Sequence, residues 1–352
     1  GTSQPLTSQD PTAAEHHSAR HRHPYMSPDA SPTASQISYD VASTDVKRVA
    51  NVIARADFLL VSTGAGMSAC SGLPVFGALS SQPALRDRGL TYDQVASPDM
   101  LVKGPETFYG FWLTCRQRYL ESAPHAGYTV LSQWVARFGT ASFCITSNVD
   151  GFLQRAGIPD ACVSQIHGTA VGKWQCGGEP NRTKPHFPLY TREGCGAQFE
   201  PVLEGIALDT ASCTATLLKG DTWPCCPLCH GAARPNVYLF GDGKRFCNDP
   251  RVTKHQSWTA WREQVLQALK DNPSRRLVVL EVGCGLRIPS IRKRGEELCA
   301  AAPQGQYDLV RINPEHASQY QLVPPTIALP GTGAATLLAI NREVELLLGG
   351  RE

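Results

Sequence analysis

Residues 58–76 read FLLVSTGAGMSACSGLPVF, and the first half of this stretch decides the fold class. Phe58–Val61 is a short apolar run that leads into glycines, which is typical of a buried β-strand followed by a tight turn. In the turn Thr63–Ser68, Gly64 and Gly66 would let the backbone approach a phosphate at the start of the next helix. Tight packing between a strand and a helix explains such a turn equally well, so the turn alone does not establish nucleotide binding.

Apolar runs of the same kind recur along the chain and alternate with segments of helical length. The runs lie at residues 143–145, 277–280 and 309–312, whereas residues 46–53 have the apolar spacing of a helix and residues 258–269 form a segment of helical length. Because strands that alternate with helices build parallel sheets, the sequence predicts an α/β fold with a Rossmann-like, doubly wound parallel sheet.

Two segments depart from this alternation. Residues 1–39 are rich in Ser, Pro, Thr, Ala and His and have few periodic apolar positions, which predicts a disordered N-terminal tail. Residues 168–233 are rich in Gly, Pro and Cys, which predicts a small inserted module that lacks a large core and needs a staple such as a metal ion. The Rossmann-like domain is then predicted to comprise residues 40–167 and 234–352.

The inserted module carries the cysteine spacing of a structural zinc site. Cys226 and Cys229 are separated by two residues, as in a zinc knuckle, and a tetrahedral site needs two more thiolates. Cys176 and Cys195 are the best candidates, although their separation exceeds the usual two to four residues. Cys225 could replace Cys226, but only Cys226 gives the two-residue gap. The alternative is a set of unliganded thiols in a module that is folded by packing alone.

Composition argues against several classes of protein. The chain has 352 residues and a formal net charge of +2, so it has no overall basic character that would indicate binding to nucleic acid or to an anionic membrane. No apolar stretch approaches the ~20 residues of a membrane span. The 13 cysteines are odd in number, so they cannot all pair in disulfides within one chain, and the sequence has no charged start followed by an apolar signal segment. We therefore expect an intracellular protein, cytoplasmic or nuclear.

Five motifs occur in an order that resembles the sirtuins, the NAD-dependent protein deacylases. In chain order they are the stretch from Gly64 to Phe76, Thr146-Ser147-Asn148-Val149-Asp150, Ile166-His167-Gly168, Cys226-Pro227-Leu228-Cys229, and the segment from Arg234 to Gly241. The resemblance extends from residue 46 to residue 347, and it implies that the Rossmann-like domain binds NAD.

The resemblance also implies roles for the matching residues. The implied NAD contacts are Gly64, Ala65, Gly66, Ser68, Phe76, Ser147, Asn148, Asp150, Gly283, Cys284 and Asn313. Among them, Asn148 and Asp150 would form the nicotinamide pocket and act with His167, the base, in catalysis. The implied metal ligands are those of one structural Zn²⁺ per chain: Cys176, Cys195, Cys226 and Cys229.

In the family reaction, the carbonyl oxygen of an acyl-lysine attacks the nicotinamide ribose, nicotinamide leaves, and a histidine helps to deprotonate a ribose hydroxyl. Histidine suits this step because its unperturbed pKa of about 6.5 allows it to accept a proton at neutral pH. We therefore expect a protein-lysine deacylase that releases nicotinamide and O-acyl-ADP-ribose. The acylated protein or peptide is expected to pair as a β-strand near Val237–Leu239, within a strand predicted over Arg234–Phe240.

The sequence departs from the sirtuin pattern at the loop that closes over NAD. Where the family has Pro-Asp-Phe-Arg, this chain has Pro74-Val75-Phe76-Gly77, and Ser147 replaces the family's glutamine. Each lost charge-assisted contact is worth about 1.5 to 3 kcal/mol. Two alternatives therefore stay open: an NAD hydrolase or ADP-ribosyltransferase, and a weakly catalytic module that binds NAD or ADP-ribose.

Overall fold

The computed structural model describes residues 43–75, 82–180, 190–192, 194–242 and 255–349. Its strands are β1 (Phe58–Thr63), β2 (Ser142–Thr146), β3 (Val163–Gln165), β4 (Gly168–Cys176), β5 (Glu179–Pro180), β6 (Tyr190–Arg192), β7 (Gln198–Phe199), β8 (Ile206–Asp209), β9 (Thr214–Leu217), β10 (Ala233–Val237), β11 (Leu277–Val282), β12 (Tyr307–Ile312) and β13 (Ile327–Leu329). Its α-helices are α1 (Ser43–Arg55), α2 (Ala65–Ala69), α3 (Pro83–Arg86), α4 (Tyr92–Val95), α5 (Pro98–Lys103), α6 (Pro105–Glu121), α7 (Ala126–Phe138), α8 (Phe152–Arg155), α9 (His255–Asp271), α10 (Ser290–Ala301) and α11 (Gly333–Gly349).

Six of the strands form one parallel sheet in the order β3-β2-β1-β11-β12-β13. This arrangement confirms the predicted doubly wound sheet. The four apolar runs of the sequence lie in β1, β2, β11 and β12, and the two predicted helices lie in α1 and α9. The direction of winding reverses between β1 and β11, and open α/β sheets bind ligands beyond the carboxyl ends of the strands at such a reversal.

Both faces of the sheet are covered, which explains why its central strands contain continuous apolar runs. Side chains alternate along β1, so Leu59 and Val61 join one core, whereas Phe58 and Leu60 join the other. The first core packs under α1, α7 and α11, and the second contains Trp258 and Trp261 of α9 and buried side chains of α10. All six residues of β1 are buried.

A third core joins α6 to the cysteine-rich module. The ring of Tyr109 stacks between Trp174 and Trp223, with centroid distances of 6.0 Å and 5.0 Å. The Tyr109 hydroxyl donates a hydrogen bond to the carbonyl oxygen of Ala233 at 2.8 Å. Helices outside residues 168–233 supply most of that core; among its buried residues, the module contributes Ala170, Trp174, Ala215 and Ala233, as expected of a module without a large core of its own.

The hairpin β8–β9 of the module contacts α6 at backbone distance. A Cβ atom on Gly110, in the middle of α6, would lie 2.3 Å from the Cα atom of Thr214 in β9. Only glycine fits at this crossing, which explains a residue that otherwise weakens a helix.

The predicted N-terminal tail and the predicted domain boundaries are not tested by the described residues. The predicted tail, residues 1–39, lies outside the described residues, and the predicted boundaries of the inserted module stay a prediction. Within the described ranges, no helix has the length and apolar character needed to cross a bilayer.

Two glycine turns cross at the reversal of the sheet. The turn after β1 donates backbone hydrogen bonds from Gly64 to Val282 and from Gly66 to Gly283, each 3.0 Å long. A Cβ atom on Gly64 would lie 2.7 Å from the Gly283 carbonyl oxygen, and one on Gly66 would lie 2.8 Å from the Gly283 Cα atom. Gly283 itself has φ of +65°, and a Cβ there would lie 2.1 Å from the Met67 nitrogen. These glycines are therefore required by packing between the turns.

We expect Gly283→Ala to lower the free energy of unfolding by at least about 2 kcal/mol, because it combines left-handed backbone strain with a steric clash. Gly285→Ala is the matched control, since a Cβ at Gly285 meets no atom within 4 Å. Chemical denaturation of both variants measures the difference, and equal stabilities would contradict the crossing.

Candidate active site and metal centre

A cavity of about 310 Å³ lies beyond the carboxyl ends of β1 and β2. Six of the residues singled out in the sequence line it: Ala65, Ser68, Ser147, Asn148, Asp150 and His167. These residues come from the turn after β1, the turn after β2 and the residue before β4. The fold thus brings three separate sequence motifs to one cavity, next to the reversal of the sheet.

Hydrogen bonds join Ser68, Asn148 and Asp150 into one network. The Ser68 hydroxyl donates to the Asp150 carboxylate at 2.6 Å, and the Asn148 side-chain amide donates to Ser68 Oγ at 3.0 Å. The same amide donates to the Gly64 carbonyl oxygen at 3.0 Å. The Asn148 amide plane is therefore fixed by contacts with two other motifs.

Asp150 is a buried carboxyl group at the cavity, with an exposed fraction of 5%. Burial raises the pKa of Asp150 above its ordinary value, and hydrogen bonds from Ser68 and from the Phe152 backbone amide offset part of this effect. The Phe152 bond, 2.9 Å long, also satisfies an amide at the start of α8. Asp150 thus orders its own loop as well as Ser68.

The hydrogen bond of His167 defines its tautomer. His167 Nδ1 lies 3.2 Å from the carbonyl oxygen of Ser147. Because a carbonyl oxygen can only accept, Nδ1 must carry a hydrogen, and in the neutral ring Nε2 then has the lone pair. The His167 carbonyl oxygen also accepts from the Tyr238 amide at 2.9 Å, which ties the residue to the segment after β10.

Other residues implied by the resemblance lie beside the cavity. The Cys284 thiol is buried against Ser62 and Val282, whose carbonyl oxygens lie 3.6 Å from its sulfur, so only its backbone faces the turn. The Asn313 side chain donates to the Cys284 carbonyl oxygen at 2.9 Å. Their NAD contacts, like those of Gly64, Gly66 and Gly283, stay predictions. Phe76 and Gly77 lie outside the described residues.

The strand predicted over Arg234–Phe240 is shorter in the structure, because β10 ends at Val237. A buried ion pair accounts for the end of the strand. Arg234 contacts both carboxylate oxygens of Asp242 at 2.6 Å, and that carboxylate accepts the backbone amide of Leu239 at 2.6 Å. The Phe240 amide donates to the Ala96 carbonyl oxygen at 3.0 Å. The chain therefore turns after Val237 and lines the cavity instead of extending as a strand.

Sequence reasoning missed several residues at the site. The hydroxyls of Tyr128 and Ser68 lie 2.9 Å apart, and Tyr128 has an exposed fraction of 1%. Tyr92, Tyr119 and Ile288 also line the cavity. None belongs to a motif, and in a single sequence an aromatic residue on a buried helix face is indistinguishable from ordinary core. Only the contact across 60 positions of sequence reveals the role of Tyr128.

Four thiols of the cysteine-rich module come together. The sulfur atoms of Cys176, Cys195, Cys226 and Cys229 all lie within 4.8 Å of one another. The Cys176–Cys229 and Cys195–Cys226 sulfur distances are 3.4 Å and 3.6 Å. A Zn–S bond of about 2.3 Å gives tetrahedral sulfur separations of about 3.8 Å, so this donor set fits one Zn²⁺. The group includes Cys226 and excludes Cys225, which is exposed.

Comparison with known proteins gives three consistent findings. The model of the Sir2 family matches residues 64–257. The "NAD-dependent protein deacylase 2" of Pseudomonas aeruginosa is 29% identical over 196 residues, which are 55% of this chain and 65% of the relative. A solved structure of a Sir2 homologue in complex with NAD aligns with a TM-score of 0.55 and 19% identity, and the alignment covers 86% of this chain and 94% of that one. The last finding concerns the fold alone.

A relative with a different name matches a larger part of this chain. The "Probable bifunctional ADP-ribose hydrolase/ADP-ribosyltransferase" of Fusarium oxysporum f. sp. cubense is 26% identical over 267 residues, which are 74% of this chain and 41% of the relative. The chain thus covers less than two thirds of the length of either named relative.

We expect freshly purified protein to contain one zinc ion per chain and Cys226→Ser to lose it, because three thiolates hold the metal much less tightly than four. Cys225→Ser is the matched control in the adjacent position and should retain the metal. Elemental analysis measures zinc, and protease susceptibility reports whether the module stays folded. Zinc-free wild-type protein would contradict the assignment.

Proposed function

This chain belongs to the Sir2 family, and we propose that it is an NAD-dependent protein-lysine deacylase that releases nicotinamide and O-acyl-ADP-ribose. The observation that carries the proposal is the gathering of His167, Asn148 and Asp150 around one cavity at the reversal of the sheet. A histidine that can accept a proton lies there beside a buried carboxyl group and a fixed amide.

The residues present fit an NAD molecule whose nicotinamide end enters this cavity. Bound NAD would supply an electrophilic ribose carbon with nicotinamide as the leaving group. Asn148 and Asp150 would hold and orient the nicotinamide end, while Ala65 and Ser68 would line the adjacent ribose and phosphates. The further proposed contacts with NAD are Gly64, Gly66, Ser147, Gly283, Cys284 and Asn313. Cys284 would make its contact through the backbone, because its thiol is buried.

His167 is proposed as the general base. Its Nδ1 hydrogen bond to the Ser147 carbonyl oxygen holds the imidazole in one tautomer, so Nε2 can accept the proton of a ribose hydroxyl. Fixing the ring in advance lowers the cost of orienting it during the reaction. The hydrogen bonds among Ser68, Asn148 and Asp150 likewise fix these three side chains in advance.

The acylated substrate is proposed to pair with the backbone near Val237–Leu239, which lines the cavity. The amides of Tyr238, Leu239 and Phe240 already donate to His167, Asp242 and Ala96. A peptide would therefore donate its own amides to carbonyl oxygens of this segment; those of Val237 and Leu239 already accept one hydrogen bond each, from Arg234 and from the Asp242 amide, and can accept a second. Such main-chain pairing gives affinity with little selectivity for side chains.

The four-cysteine site is proposed to hold one structural Zn²⁺ that takes no part in catalysis. All four positions of a tetrahedral ion are filled by protein thiolates, which leaves no position for a reacting group. We also propose that residues 168–233 form the zinc-binding module and that residues 40–167 and 234–352 form the NAD-binding domain.

A second candidate function is NAD hydrolysis or ADP-ribosyl transfer. Two observations favour it: the name of the fungal relative, and Val75 and Gly77 at positions where the family pattern has an acid and a base. A loop without these charges is suited to a different acceptor if it closes over NAD in another way.

Nicotinamide release from NAD, measured with an acetyl-lysine peptide and with the same peptide unmodified, tests the proposal. We expect release only with the acetylated peptide, accompanied by O-acetyl-ADP-ribose in the mass spectrum. Release that is independent of acylation would favour the second function. Binding of NAD without any release would mean a binding module and would contradict both activities.

We expect His167→Ala to lower peptide-dependent turnover by about 10²- to 10⁴-fold, because general-base catalysis is worth that much. NAD affinity should change by only a few fold, since a base acts in the chemical step. His255→Ala is the control, because His255 begins α9 and is not among the residues that line the cavity. Steady-state kinetics and calorimetric NAD binding provide the measurements, and unchanged turnover would show that His167 is structural.

A further inference from the structure

Four charged side chains are buried together between β11, β12 and α10, in a cluster that no sequence motif includes. Glu281 lies in β11, Arg292 and Glu296 lie in α10, and Arg311 lies in β12, each with an exposed fraction of at most 2%. Arg311 contacts Glu281 at 2.5 Å and Glu296 at 2.9 Å. We call these four residues the buried charge cluster. Its formal charges cancel, as burial of ions requires.

The buried charge cluster binds the backbone of residues 316–322, the loop that follows β12. Arg292 Nη1 donates to the carbonyl oxygens of His316 and Gln319, each at 3.0 Å, and Arg311 also donates to Gln319. The Glu296 carboxylate accepts the amides of Gln321 at 2.9 Å and Leu322 at 2.7 Å. The buried charge cluster thus forms hydrogen bonds with the backbone of four residues in an otherwise irregular loop.

Arg292 also reaches a second loop, the one that follows β11. Its Nε donates to the Cys284 carbonyl oxygen at 2.7 Å, and the Asn313 side chain donates to the same oxygen. This second loop starts at Gly283, which crosses Gly64 and Gly66, and it continues to Ile288 at the cavity wall. One guanidinium group therefore contacts both loops that follow the central strands β11 and β12.

We propose that Arg292 is a positioning residue for the nucleotide: it fixes the loop after β11 relative to the loop after β12, so that both are ordered before NAD binds. This inference rests on the proposed function. It follows from three donor bonds that point in fixed directions from one planar group. Loops that are already ordered pay less conformational entropy on binding, so the gain is in affinity and not in the chemical step.

A role in overall stability alone makes a different prediction. If the buried charge cluster only stabilised the fold, variants of Arg292 would melt earlier but would bind nucleotide normally while folded. A positioning role predicts weaker binding of ADP-ribose and a higher KM for NAD, with kcat at saturating NAD nearly unchanged.

The test uses the full chain with its zinc and three variants. Removing Arg292 alone would leave an uncompensated buried negative charge, so the main variant is Arg292→Met combined with Glu281→Gln, which keeps the formal charge of the cluster at zero. Glu281→Gln is the control for the second substitution, because it keeps all three Arg292 bonds to the loops; since it leaves the cluster with a net charge of +1, the wild-type protein is the charge-matched reference. Arg292→Lys keeps the charge but cannot span the Cys284 and Gln319 oxygens with one ammonium group.

For the double variant, calorimetry is expected to show ADP-ribose binding at least tenfold weaker than for Glu281→Gln. Its KM for NAD should rise by a similar factor, its kcat should stay within threefold, and its zinc content should stay at one per chain. Arg292→Lys should also bind more weakly, and it carries the test if the double variant does not fold.

Either of two results would overturn the positioning role: ADP-ribose affinity within threefold of the control, or a fall in kcat with KM unchanged. A different result would overturn the proposed function itself. If wild-type protein binds neither NAD nor ADP-ribose, the site is not a nucleotide site, and the role of Arg292 falls with it.

Discussion

The close crossing of two glycine turns is the constraint on which the rest of the site depends. Gly64 and Gly66 meet Gly283 at distances that admit no Cβ atom, and this contact brings the ends of β1 and β11 together where the sheet reverses its winding. Two parts of the site are placed directly by this crossing. The Asn148 amide bonds to the Gly64 carbonyl oxygen, and the loop that Arg292 holds begins at Gly283.

Most of the fold could be predicted from the sequence, because strands buried on both faces contain continuous apolar runs. Local composition predicts the strands β1, β2, β11 and β12, and composition together with cysteine spacing predicts the four metal ligands. One prediction was wrong: the strand after Arg234 ends early because the Asp242 carboxylate accepts the Leu239 amide, a contact that no strand pattern shows. The core beside the module could not be located from residues 168–233 alone, because Tyr109 of α6 stacks on Trp174 and Trp223.

The residues of the candidate site likewise fall into those that sequence motifs predict and those that only the structure reveals. Ser68, Asn148, Asp150 and His167 each lie in a recognisable motif, and the structure brings them to one cavity. Tyr128 and Arg292 could not be found from the sequence, because a tyrosine on a helix face or an arginine in a helix has no local mark of function. Their roles arise from hydrogen bonds to residues far away in sequence. Gly77, which with Val75 departs from the family pattern, and Phe76, which matches it, lie outside the described residues.

The cysteine quartet has a consequence for the order in which the chain acquires its structure. The Cys176–Cys229 contact spans 53 positions, and closing a flexible loop of that length costs about 3.5 kcal/mol of chain entropy at room temperature. Four unliganded thiols gain too little from their mutual contacts to offset this entropy, whereas the binding free energy of a metal ion offsets it. The hairpin β8–β9 lies inside this loop and packs on α6, where its Thr214 meets Gly110. A bound ion that holds the loop closed therefore reduces the chain entropy that this packing has to offset.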